Sequence, residues 1–389
     1  MVFRGYSLTY FILCVIALLA MISTSLVNPL LSIFAKQIGA TGAFIGLVVA
    51  GYWISRIVLE IPSGFISSKF GYYTPMFLGL LFTFVGTLLC AFVSDPVQLL
   101  LGRALTGVGA PLFFAVSMTF IVELFDTSRR GSAMGVFQGI EFAGSIVGSA
   151  FSGFVVAAMN FSASFILSTL MVGISMLMMF APGLRRESRA HNPPKAFSLS
   201  SMKGVFGNAN LLIVSSATFA EYVLTNGVLM TVFPLYANEQ LGISLMDIGV
   251  LMGVRSVGFV VAILIMGVMA DKAGRRPVLL FGVGATAALV LVMNYSSSFA
   301  ALSLIIFAIG ITTGAIWIVS PVLAAEAVQP SQRGAAIGTY RTFFDLGSIL
   351  GPIIMSAVQQ MSGTAMCFFL ASALLFANLV PALKIRESR

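Results

Sequence analysis

Twelve apolar stretches follow one another through this chain with only short polar interruptions between them. Each is about 20 residues or longer, the length an α-helix needs to cross the hydrocarbon core of a bilayer. A helix satisfies all of its backbone groups within one segment, so such a chain can fold as a bundle of spanning helices and as little else. The pattern predicts spans at 8–34, 42–66, 74–93, 97–121, 132–158, 162–183, 210–237, 245–270, 277–296, 300–322, 334–360 and 364–383. Composition agrees: 59% of the residues are hydrophobic and 9% charged, against roughly a quarter charged in a soluble domain. The 38 glycines suit helices whose backbones approach closely.

The first apolar run, from Tyr6 to Phe34, is too long for the core of a signal peptide and reads as a retained first span. Cys14, Cys90 and Cys367 all lie in apolar segments without metal-ligand spacing, as packing residues. One substantial polar stretch, Arg185 to Asn208, carries Arg185, Arg186, Arg189, Pro193, Pro194, Lys195 and Lys203. It divides the chain into an N-terminal bundle (1–184), a linker (185–208) and a C-terminal bundle (209–389).

Basic residues set the orientation. With the N-terminus inside, the cytoplasmic side receives Arg4, Lys69, Arg129, Arg130, the five basic linker residues, Lys272, Arg275, Arg276, Arg333, Lys384, Arg386 and Arg389. That is 16 of the 21 Lys and Arg. Arg56, Arg103, Arg255 and Arg341 lie within spans, and Lys36 alone is outside. The net charge of +8 is therefore spent on topology rather than on nucleic acid, and both termini are expected in the cytoplasm of a multi-pass protein of the cell membrane.

The two halves are copies. Adding 203 carries Gly39 to Gly242, Gly46 to Gly249, Gly64 to Gly267, Gly71 to Gly274 and Gly107 to Gly310. The same offset carries Glu123 to Glu326, Arg130 to Arg333, Gly131 to Gly334, Gly135 to Gly338, Gly144 to Gly347 and Gly148 to Gly351. Six spans per copy is an even number, so the copies run parallel.

After span 8 the chain reads Gly267-Val-Met-Ala-Asp271-Lys272-Ala-Gly274-Arg275-Arg276. The glycines permit a tight turn, the basic residues hold one face of the membrane, and the aspartate is suited to capping a neighbouring helix N-terminus. This resembles the signature loop G-x-x-x-D-(R/K)-x-G-R-(R/K) of the major facilitator superfamily. The first-half counterpart, Gly64-Phe-Ile-Ser-Ser68-Lys69-Phe-Gly71-Tyr72-Tyr73, departs from it: Ser68, which can still cap a helix, replaces the acid, and tyrosines replace the basic pair. Span 4 holds Arg103-Ala-Leu-Thr-Gly107-Val-Gly109, like the family's R-x-x-x-G-x-G. Spans 5 and 11 hold Gly144-Ser-Ile-Val-Gly148 and Gly347-Ser-Ile-Leu-Gly351-Pro352, similar to its antiporter motif G-x-x-x-G-P, with Ser149 in place of the first proline. The stretches Pro29 to Gly39 and Phe233 to Gly242 resemble its drug:proton antiporter branch.

The resemblance covers essentially the whole chain. It implies an all-α integral membrane fold of 12 transmembrane helices in two parallel six-helix repeats, with no cofactor and no metal. It also implies a monomer whose partners are the lipid bilayer, a small-molecule substrate and protons. Gly267, Asp271, Gly274, Arg275 and Arg276 would form a gating loop that favours the outward-open state. Arg103 would serve proton coupling, though tying helices together explains an intramembrane arginine equally well.

The remaining ionisable residues in the spans are Arg56 and Glu60, Glu141, Glu221, Arg255, and Arg341 with Asp345. Two of these pairs are four residues apart and share a helix face, so structural self-neutralisation competes with function. Glu141 plus 203 is 344, so Glu141 and Asp345 fall one residue apart in the repeat. A desolvated carboxylate can take up and release a proton, which makes Glu141, Asp345 and Glu221 the candidate carriers. The family lines its cavity with spans 1, 4, 7 and 10. That picks out Ser25, Asn28 and Ser32; Phe114; Glu221, Tyr222, Thr225 and Asn226; and Thr313, Trp317 and Ser320. Arg56, Arg255 and Arg341 complete the substrate-binding candidates.

Other classes fit poorly. No lysine follows a glycine, so there is no Walker A loop. The single histidine, His191, lies in the linker, which leaves no H-E-x-x-H site and no histidine relay within the spans, and G-x-S-x-G is absent. An enzyme is not expected. The expectation is proton-coupled efflux, by antiport and alternating access, of a small amphiphilic or lipophilic compound. The alternative is a carrier for a small organic anion or metabolite.

Overall fold

The computed structural model describes residues 7–190, 205, 207–329 and 332–385. Arg4, His191, Pro193, Pro194, Lys195, Lys203, Arg386 and Arg389 lie outside them. Among the described residues there are 12 helices long and apolar enough to cross a membrane, beginning near the predicted positions. Spans 1 to 6 are Leu8–Gln37, Ala43–Phe70, Tyr73–Cys90, Pro96–Leu124, Thr127–Ala158 and Phe161–Met179. Spans 7 to 12 are Ala209–Glu239, Leu245–Ala273, Arg275–Met293, Phe299–Glu326, Arg333–Ser362 and Thr364–Ala382.

Polar residues at the interruptions start the helices. Ser7, Asp95, Asn160, Asn208, Ser244 and Ser298 each accept a hydrogen bond from a first-turn backbone N–H, which satisfies donors that have no intrahelical partner. At Gly71, Gly274 and Gly363 the backbone φ is positive, at +74°, +96° and +82°, a conformation that suits glycine. These residues let the chain reverse between spans 2 and 3, 8 and 9, and 11 and 12.

Contacts group the chain into two compact units. One takes in residues up to Asn28 together with Gly51 through span 6, and the other takes in Pro29–Ala50 together with spans 7 to 12. The duplication is visible in the packing of each. In the first, span 1 packs on span 5, span 3 on span 4 and span 3 on span 6; in the second, 7 packs on 11, 9 on 10 and 9 on 12. Glycines make the crossings possible at equivalent places. A Cβ at Gly107 would lie 2.1 Å from the Tyr52 carbonyl oxygen, and one at Gly310 would lie 2.2 Å from that of Arg255. Since 52 + 203 is 255 and 107 + 203 is 310, these are the same contact made twice.

Two spans depart from regular α-helix. Span 4 contains a short π-helical segment, Pro111–Ala115, and span 7 a longer one, Val223–Val232. The wider turns are marked by the Thr231 hydroxyl, which donates to the Asn226 carbonyl five residues back at 2.7 Å. Such segments re-aim the side chains around them.

Candidate functional site

In the second unit, one polar network lies deep among apolar side chains. The Thr225 hydroxyl donates to Glu221 Oε1 at 2.8 Å and accepts from Arg255 Nη2 at 3.1 Å. Glu221 and Arg255 are 2% and 8% exposed. Acid and base are therefore joined through a hydroxyl and not in direct contact. Glu221 and Thr225 share one face of span 7 where its α-helix gives way to π turns, while Arg255 is held by the crossing of span 8 at Gly310. Next to this network, the Asn226 amide donates to Ser348 Oγ on span 11 at 3.0 Å.

Aromatic rings stand beside the polar network. Tyr222 meets Phe344 with ring centroids 3.9 Å apart and Trp317 at 6.4 Å, while Phe259 lies 6.3 Å from Trp317. Asp345, the neighbour of Phe344, is buried. The arrangement offers an apolar, ring-lined wall next to one buried carboxylate and one buried guanidinium, chemistry suited to holding a compound with both an apolar body and a polar end.

The first unit is built differently. Arg103 Nη2 donates to Asn28 Oδ1 at 2.8 Å, and its guanidinium carbon lies 5.3 Å from the centre of the Tyr52 ring. Phe114, in the π-helical segment of span 4, lines a small recess with Thr24, Tyr52 and Thr106. Glu141 is half-buried on span 5, within electrostatic reach of Cys14 on span 1. Gly144 and Gly148 press the same helix onto span 1: Cβ atoms there would lie 2.8 Å and 2.5 Å from the Leu18 and Ile22 carbonyl oxygens.

The structure thus gathers Glu221, Tyr222, Thr225, Asn226, Arg255, Trp317 and Asp345 in one unit, and Asn28, Arg103 and Phe114 in the other. One candidate is engaged elsewhere. Arg56 forms an ion pair with Glu60 at 3.5 Å and stacks on Trp53 at 5.1 Å. Arg341 is exposed, and Asp345, one turn on along span 11, is buried.

At the signature loop the structure corrects two expectations. Asp271 caps no helix: it is exposed and still within span 8, because the chain turns only at Gly274, and span 9 begins there without a side-chain cap. The electrostatic contact instead comes from Arg275, which pairs with Glu326 at the end of span 10, while Arg276 donates to the Leu383 carbonyl. Ser68 likewise caps nothing; its hydroxyl donates back to the Phe65 carbonyl at 2.8 Å. The first-half equivalents of Arg275 and Glu326 are Tyr72 and Glu123 (72 + 203 and 123 + 203), so a buried tyrosine replaces the arginine of the ion pair.

Tyr52, Phe259, Phe344 and Ser348 were not singled out in sequence. The repeat carries a signal for two of them. Tyr52 is the counterpart of Arg255, and Phe344 the counterpart of Glu141. Phe259 and Ser348 look like ordinary packing residues until the helices are assembled.

Comparison with known proteins supports one family. The model of the Major Facilitator Superfamily matches residues 13–225 and 217–389. The chain is 22% identical to an MFS-type transporter of Methanocaldococcus jannaschii, over 91% of this chain and 92% of that one. It is also 22% identical to multidrug resistance protein 2 of Bacillus subtilis, over 86% and 84% of the two chains. In fold it is similar to a mutant form of the nucleoside transporter NupG, with a TM-score of 0.78 over 96% of this chain and 99% of the other, at 14% identity.

Proposed function

Because this chain belongs to the major facilitator superfamily, and is a multi-pass membrane transporter rather than an enzyme, we propose that it exports a small amphiphilic or lipophilic compound by proton antiport through alternating access. The observation that carries this reading is the Glu221–Thr225–Arg255 network. When Glu221 is ionised, Arg255 balances it through the hydroxyl. When Glu221 is protonated, it keeps a hydrogen-bond partner in Thr225. Both forms are tolerated in an apolar interior, which is what a proton carrier requires. The rings of Tyr222, Trp317, Phe344 and Phe259 supply apolar contact for the cargo. The likeness to multidrug resistance protein 2 favours efflux of such compounds.

In the same reading Asp345 and Glu141 are further proton sites. The protein acts as a monomer in the cell membrane with both termini in the cytoplasm. The bundles are 1–184 and 209–389, and the Arg275–Glu326 pair steadies the signature loop. A carrier for a small organic anion is the second reading, favoured by the buried Arg103.

The test is flux in proteoliposomes with and without a pH gradient, using compounds found by their stabilisation of the purified protein. Glu221→Gln is expected to abolish proton-driven flux and leave downhill exchange. If Glu221→Gln, Glu141→Gln and Asp345→Asn all keep full proton-driven flux, the proposal is wrong.

A further inference from the structure

Span 6 ends at Met179, and a short further helix, Pro182–Ala190, follows it with three arginines and one glutamate. The helix packs on spans 1 and 3 and buries Leu184 and Ser188, which share one of its faces. A Cβ at Gly183 would lie 3.1 Å from Thr9 Oγ1 on span 1. That face is therefore taken up by the bundle and cannot dip into lipid. Arg185 and Arg186 lie off it and are exposed.

Beneath Arg185 the rings form a ladder. Its guanidinium carbon lies 5.8 Å from the centre of the Tyr73 ring. Tyr73, the first residue of span 3, stacks on Phe77 one turn deeper at 6.3 Å, and Phe77 meets the exposed Phe180 edge-on at 5.6 Å. Neither arginine has an ion pair among the described residues. Glu187, the acid of this helix, is half-buried with contacts of its own. Lys69 adds a third exposed cation near this junction, two residues before Gly71, where a Cβ would lie 3.8 Å from the Ser188 carbonyl oxygen.

The second unit makes the same junction and satisfies it internally. Tyr73 and Phe180 become Arg276 and Leu383 (73 + 203 and 180 + 203), and Arg276 donates to the Leu383 carbonyl. In the first unit the cation is carried instead by the helix after span 6, and the protein gives it a ring face. The planar fork of arginine matches phosphate oxygens. The helix starts three residues beyond the end of span 6, so its arginines stand at headgroup level, where basic clusters meet acidic lipids. The rings below are suited to the glycerol and upper acyl region.

We propose that Arg185 and Arg186, above the Tyr73–Phe77–Phe180 ladder, bind the phosphate of an anionic phospholipid in the leaflet on the linker side. The test uses the full-length protein, purified in detergent and stripped of lipid. Native mass spectrometry reads the lipid bound from an equimolar mixture of phosphatidylglycerol and phosphatidylcholine. The wild type is expected to prefer phosphatidylglycerol, and Arg185→Gln and Arg186→Gln each to lower that preference about fivefold, the worth of one basic residue at an acidic surface. Tyr73→Leu should weaken it and Tyr73→Phe should not. Lys272→Gln with Arg333→Gln, which removes two exposed charges from the second unit, should leave it unchanged. No preference in the wild type, an undiminished one with both Arg185→Gln and Arg186→Gln, or an equal loss with Lys272→Gln and Arg333→Gln overturns the proposal. Displacement of the lipid by inorganic phosphate assigns the arginines to a soluble anion and overturns it as well. Should the double glutamine variant fail to fold, Arg185→Lys with Arg186→Lys decides: it keeps the charge and loses the fork, so a weakened preference supports the site and an unchanged one refutes it. The site is independent of the transport reading, since Glu221→Gln should bind the lipid as the wild type does.

Discussion

Replacing Thr225 by valine tests the buried network at its narrowest point. Valine has nearly the shape of threonine, so no cavity opens at this buried position, and what is lost is one donated and one accepted hydrogen bond. Hydrogen bonds to charged groups are worth about 1.5–3 kcal/mol in water-soluble proteins. Bonds between membrane helices measure about 0.6 kcal/mol on average and up to about 1.7, because the unfolded chain in the membrane also finds partners. The contact with Arg255 crosses from span 7 to span 8 and belongs to the second range. The contact with Glu221 lies within span 7 and belongs at the low end of the first. Together they put the cost of Thr225→Val at about 2–3 kcal/mol. Reversible unfolding in mixed micelles measures it, with Thr225→Ser expected to recover most of the loss. In a background carrying Glu221→Gln and Arg255→Gln the same substitution should cost about 1 kcal/mol or less, since both bonds are then between neutral groups. Equal costs in the two backgrounds, or no cost in the native one, would refute the hydroxyl as the link between acid and base.

The helix crossings give a second prediction. Gly107→Ala and Gly310→Ala drive a Cβ to within 2.1 Å and 2.2 Å of carbonyl oxygens on spans 2 and 8, and each should cost about 1–3 kcal/mol. Gly135→Ala, with open space around it, should be neutral or gain up to about 1 kcal/mol; melting temperatures of the three variants distinguish the cases. Lys36 and Glu239 are repeat equivalents (36 + 203) that form an ion pair at 2.6 Å, 47% and 44% exposed. Lys36→Glu should destabilise by less than about 1 kcal/mol, in a salt-sensitive way, and adding Glu239→Lys should restore the melting temperature. With the buried Cys14, Cys90 and Cys367 replaced by alanine, single cysteines at Glu187 and Lys272 should label from the same side of the membrane. Labelling from opposite sides would refute the proposed topology.

Hydropathy, glycine spacing and the constant offset of 203 are properties of the linear chain. They were enough to read twelve spans, two parallel copies and the signature loop, because each helix satisfies its own backbone and must match the bilayer whatever its neighbours do. The same reasoning placed Asp271 at a helix cap and Ser68 with it. It could not foresee that the chain turns only at Gly274. Arg56 and Glu60, four residues apart, form the ion pair their spacing allows, but which charges meet between helices was decided by the tertiary structure. Thr225 reaches both Glu221, four residues back on span 7, and Arg255 on span 8 from the segment where span 7 passes into π turns. Arg103 lies on Tyr52 because Gly107 brings span 2 against span 4. A contact between side chains on different helices depends on depth, rotation and crossing distance together, and these are fixed only when the helices pack.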